Sequence, residues 1–402
     1  MIMAESDGVR KIAVVIVDRA NYGRLKPVMA KIRSHSQLEL FTICTGTMLL
    51  DRFGKAVNIV RNDGFRVDDE IFVEIEGSNP NTAAKTLGLS IIEFVNAFNR
   101  IKPDIILCIG DRFEMLGAML AASYQNYCIA HIQGGEVSYS NDEMARHVMT
   151  KLAHYHYPAT TRAGKFLEMM GEDPDTIFSY GCPVADVIQE TNLKPPPGFL
   201  KGKGIGGPID LKKDYFVVIF HPISTQYYSK MEQVSELLDA LQEIKMPTLW
   251  LWANIDPGSD DINRTIRMHR EYVDENWLQV AKNFEPDDFQ MILSNARMAI
   301  GNSSSFVRDA SIHGLPVVLL GDRQKGREIT ENVMHCQDVE KKSITKSIKA
   351  QMANEKYESS DLYGKPGVAR KIVDSLASVK IYNQKHLHYV NMKNNYQFGN
   401  IL

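Results

Sequence analysis

PDIILCIGDRFE, residues 103–114, holds the architecture in miniature. Ile105 to Ile109 is a short apolar run without polar alternation, and it reads as a parallel strand buried on both faces. Gly110-Asp111 ends it, and Phe113 to Tyr124 reads as a helix. The same order recurs on either side. Lys11 to Val17 is a β-branched strand, Asp18 to Gly23 a loop, and a helix follows through Met29 to Ile32. Leu38 to Cys44 and Cys128 to Ile132 are further strands. Strands that alternate with helices imply βαβ units and a parallel sheet.

The alternation breaks at Lys194 to Pro208, which holds four prolines and five glycines and reads as an interdomain linker. It restarts with strands at Tyr215–Phe220, Thr248–Ala253, Met298–Ile300 and Pro316–Leu320, and a helix at Glu232–Ile244. A last helix spans Gly367 to Ser378, and the chain from Tyr382 reads as a surface extension without periodicity. The expected plan is α/β, with Rossmann-type domains over residues 1–193 and 209–366, a linker at 194–208 and a tail at 381–402. A chain of 402 residues exceeds the about 250–300 that one core sustains, which agrees. Doubly wound sheets bind ligands beyond the carboxyl ends of their strands, so the cleft between the domains is the expected site.

Composition narrows the function. A net charge of −3 gives no basic field for nucleic acid or an acidic membrane, so any anionic ligand needs a local site. The five cysteines are scattered, with no CxxC pair, which speaks against zinc and disulfides and for a reducing cytosol. Met1 to Arg10 is short and polar, unlike a signal peptide. No stretch reaches the about 18 apolar residues of a membrane span. A cytoplasmic protein is the expectation.

Six stretches could carry chemistry. Asp18 to Arg24 follows the first strand and sets Arg19 and Arg24 where a phosphate could meet a helix N-terminus. Asp111, after Gly110, is a candidate base or orienter, or a helix N-cap. The loop His131 to Glu136, with Asp142, Glu143, Arg146 and His147 beyond it, gathers carboxylates, histidines and an anion clamp around a double glycine. His154 and His156 follow on what reads as a helix, where they would not share a face. His221 ends the first strand of the second half and could donate to a phosphate. Gly301 to Ser305 forms a small-residue anion cradle, with Asp309 one turn in as a possible acceptor from ribose hydroxyls. Gly321 to Glu328 is a cationic loop or a plain charged turn.

Together these stretches resemble the UDP-N-acetylglucosamine 2-epimerase family, most of all its hydrolysing branch. That branch includes the bacterial sialic-acid enzymes and the epimerase half of the animal bifunctional epimerase/N-acetylmannosamine kinase. The likeness rests on RAxYxxL at Arg19–Leu25, KPDI at Lys102–Ile105, GDRFE at Gly110–Glu114 and GGEVS at Gly134–Ser138. RHxxTKLAHYH at Arg146–His156, GCP at Gly181–Pro183, NIDPGS at Asn254–Ser259, GNSS at Gly301–Ser304 and RQxGRExxENV at Arg323–Val333 extend it.

The resemblance implies a GT-B-like fold, two Rossmann-type domains closing over a UDP-sugar, with the helix at 367–380 packed back on the first. Arg19, His221, Ser303, Ser304 and Asp309 would hold UDP, and Arg327 would help neutralise the diphosphate. Asp111 and Asp142 would be catalytic acids or bases. Arg112, Arg146, His147 and Asn254 would reach the sugar or the diphosphate. The family carries a catalytic Glu 22 residues after its GDRF aspartate, where this chain has Gln133. Glu136 is close by and could stand in. Arg24 occupies a position that is Lys in the animal enzyme, and Met48 replaces a His of the TGxHL stretch.

The reaction implied is UDP-N-acetylglucosamine plus water to N-acetylmannosamine plus UDP, by anti elimination to 2-acetamidoglucal, for sialic acid or related nonulosonate synthesis. A UDP-diacetamido-trideoxyhexose, or a non-catalytic UDP-sugar-binding role, are the alternatives. No nicotinamide is needed, because no hydride leaves the substrate, and no metal need be assumed. Relatives suggest a homodimer or homotetramer.

Overall fold

The structure, a computed structural model, describes residues 8–223, 232–252, 256, 258–272 and 276–388. The first sheet has six parallel strands: β1 (Arg10–Ile16), β2 (Leu38–Thr45), β3 (Asp69–Ile71), β4 (Ile105–Ile109), β5 (Cys128–Ile132) and β6 (Tyr155–Tyr157). Their order is β3-β2-β1-β4-β5-β6, the doubly wound arrangement whose direction of winding switches between β1 and β4. Every residue of β4 and β5 is buried, as an all-parallel sheet covered by helices on both faces requires.

The second sheet holds β7 (Ile205–Gly206), β8 (Phe216–Ile219), β9 (Thr248–Leu251), β10 (Leu278–Ala281), β11 (Met298–Gly301), β12 (Val317–Leu320) and β13 (Val333–Cys336). The order is β13-β12-β11-β8-β9-β10-β7, with only β7 antiparallel. Its switch point lies between β8 and β11. Asn302 ties the two strand ends together there. Its Oδ1 accepts from His221 N at 2.7 Å and its Nδ2 donates to His221 O at 2.8 Å. Gly301 just before it has φ +140°, and a Cβ there would lie 2.0 Å from Ile219 O, so no side chain fits.

The helix Val368–Ser378 returns to the first sheet. Val368, Ala369, Ile372, Val373 and Leu376 belong to the same core as β1 and β4. Asp186 caps that helix from a distance, accepting from Gly367 N and Ala369 N.

Four expectations are corrected. Asp18 to Gly23 is not a loop: the helix runs Arg19–Ser34, and Asp18 caps it by accepting from Asn21 N. The stretch 194–208 is not a free linker. Leu200 is fully buried in the second core, β7 pairs with β10, and Gln279 donates to Leu200 O and Lys203 O at 2.9 and 2.7 Å. His154 and His156 are not helical. The helix Asn141–Leu152 stops short of them, and His156 lies in β6.

Residues 382–388, expected as part of a surface extension, are not merely that. Tyr382 Oη donates to His154 O at 3.2 Å, and its ring packs edge-on against His154 and Tyr155. Lys385 Nζ donates to Thr150 O, Lys151 O and Ala153 O, the carbonyls left open at the end of the Asn141–Leu152 helix.

Candidate active site

Both switch points open onto one cleft between the sheets. Arg19, Arg24, Asp111, Arg112, Gln133, Asp142, Arg146, His221, Ser303, Ser304, Asp309 and Arg327 all line it. Glu136 and His147 do not. Glu136 is turned behind the wall onto Arg308 and Arg327, and His147 faces Glu143 at 3.4 Å. The expected roles of Glu136 as stand-in catalyst and His147 as ligand contact therefore have no support in their placement. Asn254 lies outside the described residues. Met48 is wholly buried in the first core, and its neighbour Thr47 reaches the cleft instead.

The first wall carries two carboxylates in opposite states. Asp111 sits past the end of β4, and Arg112, not Asp111, occupies the N-cap position of the next helix. Its side chain is thereby left free of capping. Burial alone would raise its pKa. The bond from Arg146 (Nε 3.1 Å from Oδ2), with Arg327 and Arg308 beyond, outweighs this and holds it well below the usual carboxylate range. Arg146 is itself fully buried, and it also donates to Glu136 O at 2.6 Å and Ser138 Oγ at 3.1 Å.

Asp142, in the first turn of its helix, is pushed up to about 6, by burial first and by the charge of Asp111 second. Arg323 at 3.4 Å opposes the shift, and Ser140 Oγ donates to Asp142 at 3.0 Å. Two carboxyls whose surroundings separate their pKa values are how one site holds a fixed charge and a proton carrier together. Gln133 adds a neutral amide in the left-handed region at φ +67°, with Nε2 3.1 Å from Cys182 Sγ.

The second wall suits an anion. Ser304 caps the helix Ser305–Ile312 without a side-chain capping bond; its hydroxyl accepts from Arg308 at 3.2 Å and Ser303 Oγ lies 2.9 Å from Ser305 Oγ, so the serine turn sits at a helix N-terminus that favours an anion. Burial lowers the pKa of His221 to about 3, which leaves a neutral imidazole with Nδ1 unpartnered. Arg19 donates to Phe284 O at 2.8 Å. Asp309 accepts from Gln290 at 2.9 Å with Oδ2, while Oδ1 has no hydrogen bond and faces Arg24 Nη2 at 3.9 Å. An acceptor held open in this way can take a hydroxyl.

Sequence reasoning missed several lining residues. Arg308, one turn into the helix after β11, and Arg323, inside the quoted RQxGRExxENV stretch after β12, drew no role. Trp252, Phe284 and Phe289 also line the cleft, with nothing local to mark them. Arg112 is largely spoken for, by Glu114 (2.9 and 3.2 Å) and by Asp256 of the second half. Among the described residues, no group of three or more His, Cys, Asp or Glu side chains is placed to hold a metal ion. No described helix is long and apolar enough to cross a membrane.

Comparison with known proteins places this geometry. The family model for UDP-N-acetylglucosamine 2-epimerase matches residues 30–377. The chain is 30% identical to the hydrolysing UDP-N,N'-diacetylbacillosamine 2-epimerase of Legionella pneumophila, over 94% of this chain and 98% of that one. It is 27% identical to the UDP-N-acetylglucosamine 2-epimerase of Neisseria meningitidis, over 88% and 90%. The fold matches the Methanocaldococcus jannaschii UDP-GlcNAc 2-epimerase solved with UDP-GlcNAc and UDP, at a TM-score of 0.77 and 16% identity, over 92% of this chain and all of that one. The GT-B-like arrangement of two parallel-sheet domains is thus shared.

Proposed function

This chain belongs to the UDP-N-acetylglucosamine 2-epimerase family, and from that premise we propose that it is a hydrolysing member acting on a UDP-2-acetamido sugar. The observation that carries the reading is the pairing of walls. Asp111 and Asp142 face the cleft from the first domain, and Ser303, Ser304, His221 and Arg327 face it from the second. UDP lies along the second wall, with its ribose at Asp309 and its diphosphate beside Ser303, Ser304 and Arg327. The sugar then reaches the carboxylates.

The chemistry follows from the charges. A base takes the C2 proton as the C1–O bond to UDP breaks, leaving a 2-acetamidoglucal. Water adds at C1, and a proton returns to C2 on the opposite face. A C2 proton is barely acidic, so departure of UDP must share the work, and arginines and N–H donors beside the diphosphate stabilise the charge it gains. Asp142 is the base that takes the C2 proton, and the proton that returns on the opposite face comes from solvent. Asp111 stays ionised and stabilises positive charge developing at C1.

The test is incubation with UDP-N-acetylglucosamine in deuterated water, followed by NMR. Free N-acetylmannosamine with deuterium at C2 is expected. UDP-N-acetylmannosamine without free sugar would move the chain to the non-hydrolysing branch. A second reading, with UDP-N,N'-diacetylbacillosamine as substrate, is favoured by the Legionella relative and by the neutral amide of Gln133 at the sugar end. Running both sugars separates the two.

The assignment of Asp142 carries its own pH signature. Protonated, it cannot accept the C2 proton. The ratio kcat/KM should therefore fall as pH drops through about 6 and level off above it. The Asp142→Asn variant should lose that limb together with most of the activity. An unchanged limb in the variant assigns the titration to another group.

A further inference from the structure

Glu136 is buried, charged and unused by this mechanism. Its position is imposed by the chain. Gly135 before it has φ +76°, and a Cβ there would lie 2.2 Å from Ala163 O, so the loop is pressed onto the helix Thr161–Met169. The Glu136 side chain then crosses to the other domain. Oε2 accepts from Arg308 and lies 3.2 Å from Arg327 Nη1, while all three side chains are about 5% exposed or less. The second carboxylate oxygen has no hydrogen bond. Arg327 Nε also donates to Val137 O at 3.4 Å.

Two guanidinium groups thus share one carboxylate, and both line the cleft from the side of the anion cradle. The net charge they present is one positive unit rather than two. The carboxylate is held ionised, down to about 2, because Arg308, Arg327 and Arg146 outweigh its burial.

We propose that Glu136 is a positioning and charge-balancing residue: it aims Arg308 and Arg327 at the diphosphate and offsets half of their charge, so that UDP is released after the chemistry. Unbalanced, the two arginines would bind diphosphate more tightly in substrate, transition state and product alike. Such uniform binding does not speed the chemical step, and it slows product departure. The inference rests on the reading of the cleft as a UDP-sugar site.

The test is calorimetric titration of UDP into wild type, Glu136→Gln, Arg327→Gln and the double variant, with kcat for each. Glu136→Gln is expected to bind UDP at least about threefold more tightly, since one opposing charge is removed from a poorly screened site, while kcat falls. Loss of a merely structural contact would instead weaken UDP binding and kcat together. Removing a buried ion-pair partner can unfold a chain. The Arg327→Gln background guards against this, because there the substitution leaves one unpaired guanidinium rather than two. The same tightening is expected between Arg327→Gln and the double variant. Equal or weaker UDP binding in both backgrounds overturns the proposal. Wild-type protein that gives no binding heat with UDP overturns the reading of the cleft itself.

Discussion

Replacing Asp111 by asparagine is expected to lower kcat by about three orders of magnitude, within the usual range for loss of a positioned acid–base or charged group. UDP affinity should change by less than about threefold. The separation follows from the topology. Asp111 stands beyond β4 in the first sheet, whereas the groups proposed to hold UDP, Arg19 beyond β1 excepted, stand beyond β8, β11 and β12 in the second. Asparagine keeps the shape and an acceptor for Arg146, so the buried guanidinium is not abandoned. It retains Glu136 O and Ser138 Oγ as well.

The same variant should alter the pH profile of whatever activity remains. The charge of Asp111 is the second largest cause of the raised pKa of Asp142. Without it the acid limb should move below about 6. The sign is fixed: a neighbouring negative charge disfavours the second carboxylate, so removing it makes Asp142 easier to ionise. A collapse of UDP binding in Asp111→Asn would show a structural residue. A limb that stays in place would show that the two carboxyls do not interact as described.

What could be read from sequence follows a physical line. Strands buried on both faces declare themselves as unbroken apolar runs, and β1, β4, β5, β8 and β12 each fall within a residue or two of their expected places. The topological switch then places the cleft residues, because whatever follows β1, β4, β8 and β11 must face it.

Short strands broken by polar residues offer no such apolar run. β6 reads Tyr-His-Tyr, and β10 contains Gln279, whose amide donates to carbonyls 76 and 79 residues earlier in the chain. Such a partner has no local signature. Glu136 failed for a different reason. Spacing shows that a carboxylate is near the cleft but not which side of the loop it takes, and that side is set by the approach of Gly135 to Ala163. Likewise Met48 stands where a family histidine would be, yet the residue that reaches the cleft is Thr47.

The other large effect lies far from the cleft. Glu172→Gln is expected to destabilise the fold by about 3 kcal/mol or more near neutral pH. Glu172 is fully buried and accepts from His156 Nε2 at 3.0 Å, from Lys151 Nζ at 2.5 Å and from Lys385. Burial keeps His156 neutral, so it contributes a hydrogen bond, and the two lysines contribute the charge. A glutamine keeps one acceptor and loses the charge, leaving Lys385 with carbonyl partners alone.

The pH dependence distinguishes this from simple loss of packing. Burial would raise the Glu172 pKa, but its three partners outweigh it and bring the group down to about 2. Its unfolded value is about 4.3. A depressed carboxyl stabilises the fold fully above the unfolded pKa and loses that contribution as pH falls toward the folded one. The gap in melting temperature between wild type and Glu172→Gln should therefore be widest near pH 7 and close progressively from about pH 4 downward. A gap that is independent of pH would mean that the carboxylate's charge is not what holds the segment. Lys385 links this cluster to the end of the helix whose first turn carries Asp142. The variant's kcat at temperatures well below melting then shows whether the anchoring of residues 382–388 reaches the carboxylate pair or serves stability alone.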